Sequence, residues 1–120
     1  MNRLAAALLS VGPGIRYVAT YLGGELEMDQ RPDLSSASSS ESDRYEELLV
    51  NPTLLTLLSQ RGKVDCGGLE YVLVRYGNFF QFVQQVPGGH VSVALESTVH
   101  LETIVGQIRA VLETHGREAV

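Results

Sequence analysis

Between Leu69 and Glu96 the chain reads LEYVLVRYGNFFQFVQQVPGGHVSVALE, three apolar runs separated by two glycine-bearing turns. This stretch limits the possible folds more than any other. Leu69 to Tyr76, Phe79 to Val86 and His90 to Glu96 are rich in β-branched and aromatic residues and read as strands. Gly77-Asn78 and Pro87-Gly88-Gly89 are short enough to make hairpin turns, so the strands should run antiparallel. Period-two reading puts Leu69, Tyr71 and Leu73 on one face and Val72, Val74 and Tyr76 on the other. In the next strand Phe79 and Val83 oppose Phe80, Phe82 and Val86. Both faces are apolar, so the sheet needs a cover on each side.

The rest of the chain offers the covers. Asn2 to Val11 reads as a short helix with Leu4, Leu8 and Val11 on one face, stopped by Gly12-Pro13-Gly14. Ile15 to Leu22 reads as a strand, Gly23-Gly24 as a turn, and Glu25 to Gln30 as a strand with one wet face. Asp43 is expected to cap a middle helix, with Glu46 as its capping-box partner. Tyr45, Leu48 and Leu49 make an apolar stripe, and Leu54, Leu55, Leu57 and Leu58 follow before Gly62. Asn51-Pro52 interrupts them, because the residue before proline avoids helical geometry. The pair predicts two short helices or one kinked one, with Asn51 able to cap a restart. Ser97 or Thr98 should cap a last helix with a stripe of Leu101, Ile104, Val105, Ile108, Val111 and Leu112, ended by Gly116.

The order αββαβββα predicts an α/β fold with a five-stranded antiparallel sheet as the middle layer of α/β/α. The terminal helices should share one face and the middle helix should take the other. A short, broken middle helix would leave part of its face bare, a gap that a second copy could close. Its leucines therefore read either as core or as interface.

With 120 residues the chain fits a single domain, placed at 1–116, with a tail at 117–120 expected to be disordered. Six of the eight residues from Ser35 to Ser42 are serine, so 32–42 is expected to be a flexible loop. A net charge of -5 with scattered Lys and Arg argues against nucleic-acid binding. The apolar run Leu4 to Leu9 is shorter than a membrane span needs. The lone Cys66 excludes an internal disulfide framework and fits a reducing compartment. A cytoplasmic protein without membrane insertion is expected.

Chemistry is sparse. His90, His100 and His115 show no spacing that would put two imidazoles on one helical face for a metal. Cys66, in VDCGG, could pair with a histidine as a nucleophile, but reads as a small buried hydrophobe. No phosphate-binding loop occurs. Asp29, Asp33, Glu41, Asp43, Glu46 and Glu47 read as a solvated acidic face, not a calcium site. No catalytic residue, metal or cofactor is expected. An alternative use of such a sheet is a small-ligand sensor, for which Tyr17, Tyr71 and Gln81 could supply convergent polar groups.

GIRYVATYLGGELEM, a helix, the three-strand run and HLETIVGQIRAVLE together resemble the roadblock/dynein light-chain (LC7) family over nearly the whole chain. The resemblance implies a profilin-like α/β/α fold and a non-enzymatic homodimer that joins the third strand and the middle helix of each copy. It further implies that the paired helices bind a small Ras-like GTPase or a signalling scaffold. Carried onto this sequence, the dimer interface is Leu54, Leu57, Leu58, Leu69, Tyr71, Leu73 and Arg75. The partner-facing set is Tyr45, Leu48, Leu49 and Arg61. The serine-rich loop and Asn51-Pro52 depart from the family pattern.

Overall fold

The computed structural model describes residues 2–31 and 40–115. Most of the expected serine loop and the expected tail therefore lie outside the described residues. The strands are β1 (Ile15–Leu22), β2 (Glu25–Gln30), β3 (Val72–Arg75), β4 (Phe79–Val86) and β5 (Gly89–Glu96). They form one sheet in the order β2-β1-β5-β4-β3, and every neighbouring pair is antiparallel. Three of the four pairings are local hairpins. The fourth, β1 with β5, joins the two ends of the sequence and puts the most apolar strands at the centre.

The turns form as their residues predict. Leu22 pairs with Glu25 across Gly23 and Gly24, whose φ values of 59° and 82° suit a tight two-residue hairpin. The Tyr76 amide donates to the Phe79 carbonyl at 2.9 Å, closing the turn over Gly77 and Asn78. Gly89 faces a different demand. A Cβ there would run into the backbone carbonyl of Tyr21 in the neighbouring strand.

Helices α1 (Arg3–Leu9) and α4 (Leu101–His115) cover one face. Leu4 and Leu8 of α1 and Ile104, Val105, Ile108 and Leu112 of α4 pack on Val18, Phe82, Val91, Val93 and Leu95. Asn2 starts α1 by accepting the Ala5 amide at 2.7 Å. The middle helical run lies on the other face: α2 (Ser40–Tyr45), a π-helical turn (Glu46–Val50) and α3 (Asn51–Asp65). The expected three-layer α/β/α fold with a five-stranded antiparallel sheet is what forms.

Five local expectations need correction. The middle helix begins at Ser40, so residues 40–42 are helical and Asp43 lies in the first turn instead of capping it. The helical run is not broken at Asn51-Pro52. A π turn precedes the proline, the kind of local adjustment by which a helix tolerates a residue that lacks an N–H and crowds the preceding turn. Gly62 does not end α3 but packs it closely, a Cβ there meeting Gly68 and Leu69 backbone atoms at 3.1 Å. Strand β3 spans only Val72–Arg75, so Leu69 and Tyr71 precede it. Finally, His100 caps α4 in place of Ser97 or Thr98, its Nδ1 accepting the Thr103 amide at 3.3 Å.

Gly89→Ala should push β1 and β5 apart at their end. The expected loss is about 3 kcal/mol of unfolding free energy, read by urea denaturation. Gly12→Ala, where a Cβ meets nothing, is the matched control.

Candidate functional site

The sheet face under the middle helix differs from its opposite. Period two places Tyr17 and Ala19 of β1, Gln81 and Val83 of β4, and His90, Ser92 and Ala94 of β5 on this side. The centre of the patch is polar, and all of these side chains are buried. Glu47, in the π turn, points straight into it and is 0% exposed. Its Oε2 accepts the Tyr17 hydroxyl at 2.7 Å, and its Oε1 accepts Asn51 Nδ2 at 2.9 Å. His90 Nε2 lies 3.0 Å from the same Oε1 and donates to it in the Nε2–H tautomer. Asn51 Nδ2 also reaches Ser92 Oγ at 3.3 Å, and Gln81 Nε2 donates to that hydroxyl. Tyr17, Glu47, Asn51, His90, Ser92 and Gln81 thus form one connected seam between helix and sheet.

This seam sets the rotation of the whole middle helix. Asn51, Leu55 and Gly62 are its buried positions in α3, and Ser59 hydrogen-bonds Gln85 of β4 at 2.9 Å. The inward face is thus mostly polar or small, and the large apolar side chains turn out. Tyr45 is 61% exposed, Leu49 54%, Leu57 59% and Val64 76%, with Leu48 and Leu58 also exposed. Of the four leucines between Leu54 and Leu58, only Leu55 is fully buried. The middle helix thus carries apolar side chains on its solvent side as well as toward the sheet.

A cavity of about 400 Å³ opens beside the seam. Its walls include Arg16, Tyr17, Asp43, Tyr45, Glu46, Glu47, Tyr76, Phe79 and Gln81. Burial pushes the Glu46 carboxyl above its ordinary range, nearby Glu47 and Asp43 add to the rise, and the Tyr76 hydrogen bond at 2.8 Å opposes it. Burial, reinforced by that bond to Glu46, raises Tyr76 from 10.0 to about 12. Burial and the Glu47 carboxylate raise Tyr17 further still. Arg16 is held by Glu96 at 3.0 Å and lies over the Phe79 ring.

The residues singled out from sequence fall in three places. Tyr45, Leu48 and Leu49 lie on the outer side of α2 and the π turn, and Leu57 and Arg61 on the outer side of α3, while Leu58 shares the stripe of Asn51, Leu55 and Gly62 yet stays 38% exposed. Leu54 is partly buried. Arg61 pairs with Asp65 at 2.7 Å and holds that carboxyl below its ordinary value. Tyr71 and Leu73 lie on the α4 side of the sheet, Leu73 opposite Phe82 in register and Tyr71 stacked on Phe82. Leu69 is half-buried, and Arg75 is exposed with its guanidinium over Phe80. The two leucine groups thus flank the β3 edge from opposite faces. Tyr17 and Gln81 do converge on the cavity, whereas Tyr71 does not.

Two readings of single residues change. Glu47 is not part of a solvated face; three hydrogen bonds hold it inside. Cys66 is not a buried hydrophobe but exposed, its Sγ 3.4 Å from Asp65 Oδ1. No hydrogen bond links it to a histidine among the described residues, and none of their His, Cys, Asp and Glu groups could hold a metal. Sequence reasoning missed the seam, although a signal existed. Gln81, His90 and Ser92 are polar interruptions in apolar strands, and the strand period puts them on one face.

Comparison with solved structures names the architecture. A roadblock/LC7 domain from Streptomyces avermitilis superposes with a TM-score of 0.72 at 13% identity, over 96% of this chain and 93% of that one. The fold is the roadblock/LC7 fold. The gliding protein MglB of Thermus thermophilus shares this roadblock fold with a TM-score of 0.68 at 11% identity, covering 99% and 93% of the two chains. A structure of MglB with a tetrameric arrangement gives 0.70 at 12% identity, over 100% and 95%. Neither a family model nor a curated relative matches the sequence. At such identities the roadblock likeness lies in the course of the backbone. No described helix is long and apolar enough to cross a membrane.

Two measurements check the site. Glu47→Ala leaves the Tyr17 and His90 donors unanswered in the interior and Asn51 with Ser92 alone, and should cost about 3 kcal/mol in urea unfolding. Tyrosine absorbance should show a step near pH 12 that Tyr76→Phe removes. An unfolded tyrosine ionises near 10, so Tyr76's contribution to stability is complete below pH 10 and is lost as pH rises through about 12.

Proposed function

We propose that this chain is a non-catalytic, cytoplasmic adaptor of the roadblock family, a homodimer that binds and regulates a small Ras-like GTPase or a related signalling component. The observation that supports it best is the set of exposed apolar side chains on the middle helix, Leu48, Leu49, Leu57, Leu58 and Val64. Burying such side chains gains roughly 25 cal/mol per Å² of apolar area, and a lone copy forgoes that gain. The edge of β3 is open to strand addition, since β4 is its neighbour on one side and the sheet ends on the other. In the dimer, Leu54, Leu57, Leu58, Leu69, Tyr71, Leu73 and Arg75 meet their counterparts. Tyr45, Leu48, Leu49 and Arg61 remain for the partner.

A regulator of this kind acts by favouring one arrangement of the GTPase's switch loops. Arg61 is the candidate for charge stabilisation at a bound phosphate, and its pairing with Asp65 would have to open first. The tetrameric MglB structure fits a fold that self-associates. A second reading, a small-ligand sensor, draws support from the cavity on which Tyr17 and Gln81 converge.

Light scattering should give twice the 13.1 kDa chain mass at micromolar concentration, and Leu57→Asp with Leu58→Asp should return the mass of one chain. Affinity capture in GDP and in a non-hydrolysable GTP analogue should then recover a GTPase in one nucleotide state. A monomeric wild type, or capture indifferent to nucleotide, would count against the adaptor.

A further inference from the structure

The cavity beside the seam has walls of a definite chemistry. Among the described residues three carboxylates (Asp43, Glu46 and Glu47) line it, against a single cationic side chain, Arg16, that already pairs with Glu96. An anionic ligand would therefore meet net repulsion. Four aromatic rings, Tyr17, Tyr45, Tyr76 and Phe79, share the same walls, and ring faces attract cations. Glu46 uses Oε1 to accept from Tyr76, and no hydrogen bond reaches Oε2 among the described residues. A volume of about 400 Å³ is far more than a bare ion needs and lies in the range of ligand pockets.

Carboxylates, π faces and this much room suit an organic cation. A guanidinium fits better than an ammonium, because its flat fork stacks on a ring while its N–H groups bond a carboxylate side-on. The position of Tyr45 indicates the source. It lines the cavity, is 61% exposed, and stands three and four residues before Leu48 and Leu49 on the outer apolar face. A chain lying on those leucines would pass the mouth. We propose that the cavity receives an arginine side chain of a docked protein segment, seated on the aromatic walls with Glu46 as its counter-ion, next to an apolar contact on Leu48 and Leu49. The proposal rests on the adaptor reading for the protein source of the arginine, but not for the chemistry of the pocket.

The test is an amide NMR titration of the full chain with three probes: acetyl-Leu-Arg-Leu-amide, the same peptide with citrulline in place of arginine, and acetyl-arginine-amide. Saturable shifts are expected at Glu46, Tyr76 and Phe79 with the arginine peptide. Citrulline has nearly the same shape but no charge, and should bind at least about tenfold more weakly. Glu46→Gln, which keeps an acceptor for Tyr76, should weaken the arginine peptide by about tenfold and leave the citrulline peptide unchanged. Tyr45→Ala alters only an exposed lip, so it should fold normally and weaken the arginine peptide several-fold.

Equal binding of the arginine and citrulline peptides, or indifference to both substitutions, would overturn the pocket. Acetyl-arginine-amide binding as tightly as the tripeptide would overturn the protein source, in favour of a free guanidine compound. Nucleotide-dependent capture of a GTPase that survives Glu46→Gln alongside failed peptide discrimination would remove this inference alone and leave the adaptor standing.

Discussion

The Glu47 carboxylate decides which side of the middle helix meets the sheet. A carboxylate taken out of water needs several partners at once, since its desolvation costs several kcal/mol if they are absent. Here the partners come from two strands and the helix itself: Tyr17 on β1, His90 on β5, and Asn51 one turn along the helix. That geometry is available in one rotation of the helix only. Once Glu47 and Asn51 point inward, Leu48, Leu49 and Leu57 must point outward. The outward apolar face is thus a consequence of the interior, not a separate feature laid on the surface.

The π turn belongs to the same cause. Glu46 and Glu47 are neighbours in sequence, yet one lines the cavity and reaches Tyr76 while the other is sunk in the seam. A turn wider than α lies between α2 and α3, just where Pro52 could not have joined an ordinary ladder. Departures from regular helix gather at functional sites often enough that the coincidence of π turn, seam and cavity supports one common purpose.

Much of the fold was legible in the sequence because it rests on short-range signals. Glycine pairs fixed the hairpins, the strand period gave both faces, and the stripe of α4 was read nearly residue for residue. The cover by α1 and α4 on one face and the middle helix on the other followed from the need to bury two apolar faces. What could not be read was the rotation of the middle helix. Its leucines suit a core and an interface equally, and the choice depends on hydrogen bonds between residues more than forty positions apart, such as Glu47 with His90. The same limit hid the cavity, and it made Glu47 look like one more solvated acid. Tyr17, Gln81 and Tyr71 are alike by residue type, and only the covering helix, which meets the face of Tyr17 and Gln81, tells Tyr71 apart from them.

The account depends on the outward leucine face and the β3 edge being covered by a second copy of the chain. Cys66, the one cysteine, is exposed just beyond α3 and beside the run into β3, so it can carry a spin label without further substitution. Pulsed dipolar spectroscopy on the labelled protein should show a defined intermolecular distance that fades when labelled chains are diluted with unlabelled ones. A trace with no dipolar modulation at micromolar concentration would contradict the account, because each chain would then stand alone with its leucines in water.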